Sequence, residues 1–113
     1  MIKIYHNPRC SKSRAGLELV ENSGKEFEVI HYLKNVPSKE ELKDLLKLLN
    51  MKAEDLIRKN EADWKENFKD KNLSEAQLIE AMIKFPKLIE RPIVSNGKKA
   101  VIGRPTEIIS EIL

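Results

Sequence analysis

Cysteine is almost absent: the 113 residues contain one, Cys10, which excludes an internal disulfide framework and a cysteine-rich metal site. Aromatic residues make up only 5% of the chain, so a core must be built from Leu, Ile and Val. No apolar run approaches the roughly 20 residues that span a bilayer, so no membrane partner is expected. There is no block of one charge either. The 21 Lys and Arg and 18 Asp and Glu are interleaved, giving a net charge of +3. Such interleaving describes solvated helix faces rather than a stripe that tracks phosphates, so no nucleic-acid partner is expected. His6 and His31 form no metal-ligand spacing with Cys10, and no metal is expected. Met1-Ile2-Lys3-Ile4-Tyr5 reads straight into a strand, so no signal peptide is expected, and a lone reactive thiol belongs in a reducing cytoplasm. The length predicts one domain over residues 1–113.

What is present centres on Tyr5-His6-Asn7-Pro8-Arg9-Cys10-Ser11-Lys12-Ser13-Arg14. Cys10 falls between a short apolar strand and the start of a helix. There it meets unpaired backbone N–H groups and the positive end of the helix dipole, both of which favour thiolate, the nucleophilic form. Free cysteines are more often inert and buried. The polar, basic, turn-like neighbours His6, Arg9, Lys12 and Arg14 favour a nucleophile here.

The rest of the pattern supplies a scaffold. Ile2–Tyr5 predicts a strand, and a helix from about Ser11 ends at Asn22-Ser23-Gly24, with Gly24 as a left-handed cap. Phe27 to Tyr32 predicts a second strand, which includes His31; the crossover makes the two strands parallel. Ser38 and Glu41 form a capping box before Leu42, Leu45, Leu46 and Leu49, a buried stripe that ends near Asn50. Residues from about 50 to 86 read as a helical insertion, in which Trp64 packs on Phe68 and a second capping box joins Ser74 to Gln77. Ile93–Ser95 and Ala100–Ile102 flank Asn96-Gly97 as a hairpin, and a last helix after Gly103-Arg104-Pro105-Thr106 buries Ile108, Ile109 and Ile112. The order β–α–β–α, insertion, β–β–α predicts an α/β domain. It has a four-stranded mixed sheet with helices on both faces, of thioredoxin-like type. Folds of that type place a reactive cysteine at the start of the first helix and a proline, often cis, before the third strand. Cys10 and Pro92 hold those places.

Three arginines lie beside turns or strand ends: Arg58, Arg91 and Arg104. An arginine fork binds an oxyanion bidentately and keeps its charge, although a single surface arginine is usually an ion pair of little consequence. Spacing alone does not show that the three converge. The segments His6 to Arg14, Ile57-Arg58-Lys59-Asn60-Glu61, Glu90-Arg91-Pro92-Ile93-Val94 and Gly103-Arg104-Pro105 together resemble the glutaredoxin-coupled arsenate reductase family, in order and over essentially the whole chain. That resemblance implies that Cys10 attacks arsenate while Arg58, Arg91 and Arg104 hold the oxyanion. It implies no bound cofactor, glutathione as co-substrate and glutaredoxin as partner. Ser11-Lys12 departs from the small uncharged residues common in that family. His6, by resemblance and nearness, either helps to keep Cys10 deprotonated or caps the loop, and Asn7 belongs to the same loop. Ser13 stands where a dithiol protein has its second cysteine; its hydroxyl can hydrogen-bond a thiolate but cannot resolve a disulfide, so an outside thiol is required. A phosphatase-type loop is excluded because the sixth residue after Cys10 is Gly16 rather than arginine. Two other functions fit the same fold. One is a polymerase-binding regulator resembling Spx, whose two-cysteine switch Ser13 removes. The other is a general monothiol oxidoreductase acting on glutathione mixed disulfides, which needs no arginine trio.

Overall fold

A computed structural model describes residues 1–113. The first strand, β1 (Ile2–Tyr5), sits inside a four-stranded sheet ordered β2-β1-β3-β4, where β2 is Phe27–Ile30, β3 is Ile93–Ser95 and β4 is Ala100–Ile102. β1 runs parallel to β2, with Ile2 opposite Phe27, and antiparallel to β3, with Tyr5 opposite Ile93. Helix α1 (Ser11–Asn22) makes the crossover between the parallel strands. The mixed four-stranded sheet expected from the element order is therefore present.

Alternation along the strands divides the interior in two. Ile2, Ile4 and Val94 face Val20 of α1 together with Ile109 and Ile112. Tyr5 and Ile93 face the opposite side, where they join Leu42, Leu45 and Leu46 of α2 (Lys39–Leu49) and Leu78, Ile79 and Met82. Helices thus cover both faces. In the insertion, α3 (Ala53–Leu56) and α4 (Ala62–Asn67) are short, and α5 (Glu75–Lys84) carries the apolar face. The Trp64 and Phe68 rings lie 5.6 Å apart, and Phe68 meets Phe85 edge-on at 5.7 Å. A 3₁₀ turn at Pro86–Leu88 closes the segment, which is pinned by an antiparallel bridge between Ile57 and Ile89.

Several local expectations are altered. The second strand stops at Ile30; His31 lies beyond it and is exposed, with its carbonyl accepting from the N–H groups of Lys34 and Asn35 in a turn. Ser38 caps α2 by accepting from the Glu41 N–H at 3.1 Å. The Glu41 carboxylate does not reach back, because the buried Tyr5 hydroxyl donates to it at 2.7 Å. The second box is complete, with both Ser74–Gln77 bonds made. The hairpin loop has four residues, Asn96–Lys99, held by Asn96 Oδ1 accepting from the N–H groups of Lys98 and Lys99, with Gly97 at φ +90°. The last element, Thr106–Ile112, is a 3₁₀ helix instead of an α-helix. Residues three apart eclipse in that geometry, which aligns Ile109 with Ile112 over α1.

Both Arg91–Pro92 and Arg104–Pro105 are cis; the first was expected at the start of β3 and the second was not. Pro92 is buried between two glycines. A Cβ on Gly16 would lie 2.8 Å from Pro92 Cγ, and one on Gly103 would lie 2.9 Å from the same atom and 2.7 Å from Ile109 Cδ1. Alanine at Gly103 forces the rigid Pro92 ring or Ile109 to move. Gly103→Ala is therefore expected to cost about 1–3 kcal/mol, as other overpacking substitutions do. A lower urea midpoint at unchanged slope is the signature of that loss; an unchanged midpoint would show that the ring gives way freely.

Candidate functional site

The loop leaving β1 is fixed by its own polar groups. The His6 N–H donates to the Ile30 carbonyl at 2.9 Å, and the Cys10 N–H donates to the Asn7 carbonyl at 3.0 Å. The Asn7 side chain accepts from the Arg9 N–H at 3.0 Å. Ser13 is fully buried under the loop, its hydroxyl accepting from the Asn7 N–H at 2.9 Å and lying 2.7 Å from His6 Nδ1. These bonds present Cys10 as the N-cap of α1, half-buried and with extended backbone, so that the first free N–H groups of the helix face its sulfur. Partial burial pushes the thiol's pKa up. The backbone N–H of Ser13, the Arg91 guanidinium and the backbone N–H of Lys12 outweigh it, and the net pKa lies below that of an ordinary cysteine.

The structure brings Arg58, Arg91 and Arg104 to this same end of the sheet. Arg104 reaches the sulfur itself, with Nη2 3.6 Å from Cys10 Sγ, while its Nε donates to the Arg91 carbonyl at 2.8 Å. Arg58 does not contact the sulfur. It is carried in by the Ile57–Ile89 bridge, with its N–H on the Leu88 carbonyl at 2.7 Å. Two carboxylates that the sequence reading did not single out tie the arginines together. Glu90 Oε1 lies 3.7 Å from Arg58 Nε and 3.2 Å from Arg104 Nε. Glu61 Oε1 lies 3.6 Å from Arg58 Nη1 and 3.8 Å from Arg91 Nη1. Three of these four separations exceed hydrogen-bond length. The carboxylates therefore orient the forks without consuming them, and Arg58 Nη1 and Arg91 Nε are buried with no hydrogen-bond partner. Both glutamates lie inside the quoted segments, but nothing in their spacing assigned either to an arginine.

Tyr32 was also missed. It is 1% exposed and its hydroxyl has no partner. Burial first, then the negative charges of Cys10, Glu90 and Glu61, raise its pKa to about 12 against the opposing pull of Arg91. It stays neutral within electrostatic reach of Cys10 and Arg91. No three His, Cys, Asp or Glu side chains gather as metal ligands, and no helix is long and apolar enough to cross a membrane.

Two expected roles change. The Ser13 hydroxyl is taken up by His6 and Asn7, so Ser13 serves Cys10 through its backbone N–H instead. His6 is only 4% exposed, and burial, then the neighbouring His31, lower its pKa against a smaller opposing effect of Ser13. A neutral, buried imidazole bonded to Ser13 is a loop-holding group and supplies no positive charge to the thiolate. Of the two readings of His6, the geometry favours the cap.

The rate of alkylation of Cys10 by a neutral reagent follows the thiolate fraction. Because the folded-state pKa is lowered, the midpoint of that rate is expected at lower pH than for an ordinary cysteine, and Arg91→Ala is expected to shift it upward. A midpoint at or above the ordinary value would contradict the arrangement.

A thiolate at a helix N-terminus, faced by arginine forks with unspent donors, suits nucleophilic attack on an oxyanion centre. Comparison with known proteins agrees in kind. The ArsC family matches residues 5–112. The chain belongs to the ArsC family. Among relatives of this ArsC-family chain, an uncharacterized protein, YfgD, of Escherichia coli (strain K12) is 52% identical over 99% of this chain and 96% of that protein. An arsenate reductase of Neisseria meningitidis serogroup B is 44% identical over 99% of this chain and 97% of its own length. A solved arsenate reductase structure from Vibrio cholerae superposes with a TM-score of 0.93 at 48% identity, covering 99% of this chain and 97% of that one. The thioredoxin-like architecture is thus that of ArsC-type structures.

Proposed function

We propose that the protein reduces arsenate to arsenite with glutathione and glutaredoxin as reductants, through a covalent adduct on Cys10. The observation that carries this reading is the meeting of a thiolate-favouring Cys10 with Arg58, Arg91 and Arg104, two of which keep buried N–H donors without a partner. An anionic nucleophile and an anionic substrate repel each other. Guanidinium forks offset that repulsion and stabilise the charge that develops as the bond forms.

In the first step the Cys10 thiolate displaces one oxygen of hydrogen arsenate. A sulfur–arsenic bond forms, and the oxygen leaves as water after taking up one proton. Arg91 and Arg104, which flank the sulfur, are the forks that bind the transferring group. Arg58, held by Glu61 and Glu90, closes the clamp from the insertion. A glutathione thiolate then attacks the Cys10 sulfur. A disulfide forms, the sulfur–arsenic bond breaks with its electron pair passing to arsenic, and As(V) departs as As(III), taking up three protons as arsenous acid. Ser13 offers no second thiol, so the mixed disulfide waits for an outside thiol, supplied by glutaredoxin.

The test is arsenite formation by the purified protein. Turnover is expected only when arsenate, glutathione and glutaredoxin are all present, and a preparation that is folded but inactive with all three would overturn the reading. A general monothiol oxidoreductase predicts a different result: glutathione disulfide, and not arsenate, protects Cys10 from alkylation.

A further inference from the structure

Beside the thiol lies a cleft of about 610 Å³ that the arginine clamp does not explain. It is lined by the loop His6–Arg9, by His31, Leu33, Lys34 and Asn35 after β2, by Lys87 of the 3₁₀ turn, and by Glu61 and Arg91. Cys10 does not itself line the cleft, but Arg9 directly precedes it in the chain and the Arg91 guanidinium acts on its sulfur, so the cleft adjoins the thiol. Its volume falls within the range of about 300–1,000 Å³ typical of small-molecule sites.

The charge of this cleft is one-sided. Arg9, Lys34 and Lys87 line it, all exposed, and none of the chain's ion pairs uses any of them. The only carboxylate in the lining, Glu61, is already shared between Arg58 and Arg91. The imidazole of His6, its pKa lowered by burial and then by His31, is neutral and neither adds to nor offsets this charge. Three unpaired cations around a groove that adjoins a sulfur nucleophile through Arg9 and Arg91 fit a small thiol that carries carboxylates.

We infer that the cleft lined by Arg9, Lys34 and Lys87 binds glutathione, taking its two carboxylates on these cations and directing its sulfur past Arg91 to Cys10. This rests on the reductant named in the proposed function and assigns it a place. Oxyanion and thiol are then held by different side chains that share only Arg91, so that both can be present at the adduct stage. The cleft raises the local concentration of the anionic thiol and hence its rate of encounter with the sulfur.

The test uses disulfide exchange at Cys10, which requires no arsenate. The Cys10 thiolate attacks one sulfur of glutathione disulfide, a new disulfide forms, and a glutathione thiolate leaves with the electron pair. The rate is followed by mass spectrometry for the wild type and for the triple variant Arg9→Ala, Lys34→Ala, Lys87→Ala. Bis(2-hydroxyethyl) disulfide serves as the neutral probe. Lys39→Ala, Lys43→Ala and Lys47→Ala together, on exposed positions of α2, remove the same number of charges and control for net charge. Exchange with glutathione disulfide is expected to fall about tenfold or more in the triple variant, the low end of electrostatic focusing effects, and to become less salt-dependent. Exchange with the neutral disulfide, and both rates in the α2 control, are expected to stay within about twofold of wild type. Equal losses with both disulfides would mean that the cations act on the thiol itself. No loss with either, or an equal loss in the α2 control, would mean that the cleft is not the site. Any of these overturns the inference. If the wild type reduces no arsenate while the charge-dependent exchange persists, the proposed function fails and the glutathione site stands.

Discussion

Replacing Arg91 by alanine is expected to lower kcat/KM for arsenate by about 10²- to 10³-fold, the usual consequence of removing one donor from a site that stabilises developing negative charge. The side chain is 14% exposed, sits by Glu61 at 3.8 Å, and keeps Nε without a partner. It also contributes to lowering the Cys10 pKa. Two losses therefore combine: less thiolate at neutral pH, and a weaker hold on the oxyanion. They can be separated. Assays run well above the thiol pKa restore the thiolate fraction in Arg91→Ala, so the defect that remains there reports the oxyanion contact. Arg91→Lys keeps a positive charge without the planar fork and is expected to fall between wild type and alanine. If Arg91→Ala were to match wild type at every pH, the clamp would not include Arg91.

Cys10→Ser is expected to lower arsenite formation by more than about 10³-fold, to the level of the uncatalysed background, because a serine hydroxyl in the same place is neither ionised nor able to form a disulfide. The fold is expected to survive. Cys10 is the N-cap of α1, and serine is itself a favoured cap whose hydroxyl can accept from the same first-turn N–H groups. Arsenate binding, measured by calorimetry, is expected to be retained or strengthened, since the variant removes a negative charge from a site whose arginines stay in place. Loss of binding together with activity would locate the oxyanion contacts at the sulfur rather than at the arginines.

The sequence made the nucleophile visible by local pattern and the convergence of the arginines visible only by resemblance, for a physical reason. The setting of Cys10 is local: a strand end, a turn and a helix start lie within ten residues, and each has a compositional signature. The convergence of Arg58 with Arg91 depends on the bridge between Ile57 and Ile89, which are 32 positions apart. No periodicity announces such a bridge; only the resemblance of whole segments suggested it. Side-chain directions inside turns were equally hidden. Ser13 and His6 lie near Cys10 in sequence, yet they bond to each other, and the Glu41 carboxylate expected at a helix cap is captured by Tyr5 across the interior. His31 follows an apparently continuous strand pattern, but strand pairing ends at Ile30 and the chain turns at once. The side-chain misses share one cause: a polar side chain with several possible partners takes the one that tertiary packing brings nearest.

The most direct measurement is a crystal structure of the protein soaked with arsenate. It is expected to show the anion bound by the guanidinium groups of Arg58, Arg91 and Arg104, with arsenic bonded to Cys10 Sγ or within bonding approach of it. An anion held elsewhere, or one held by the arginines but turned away from a free Cys10, would contradict the assignment of Cys10 as the arsenate nucleophile.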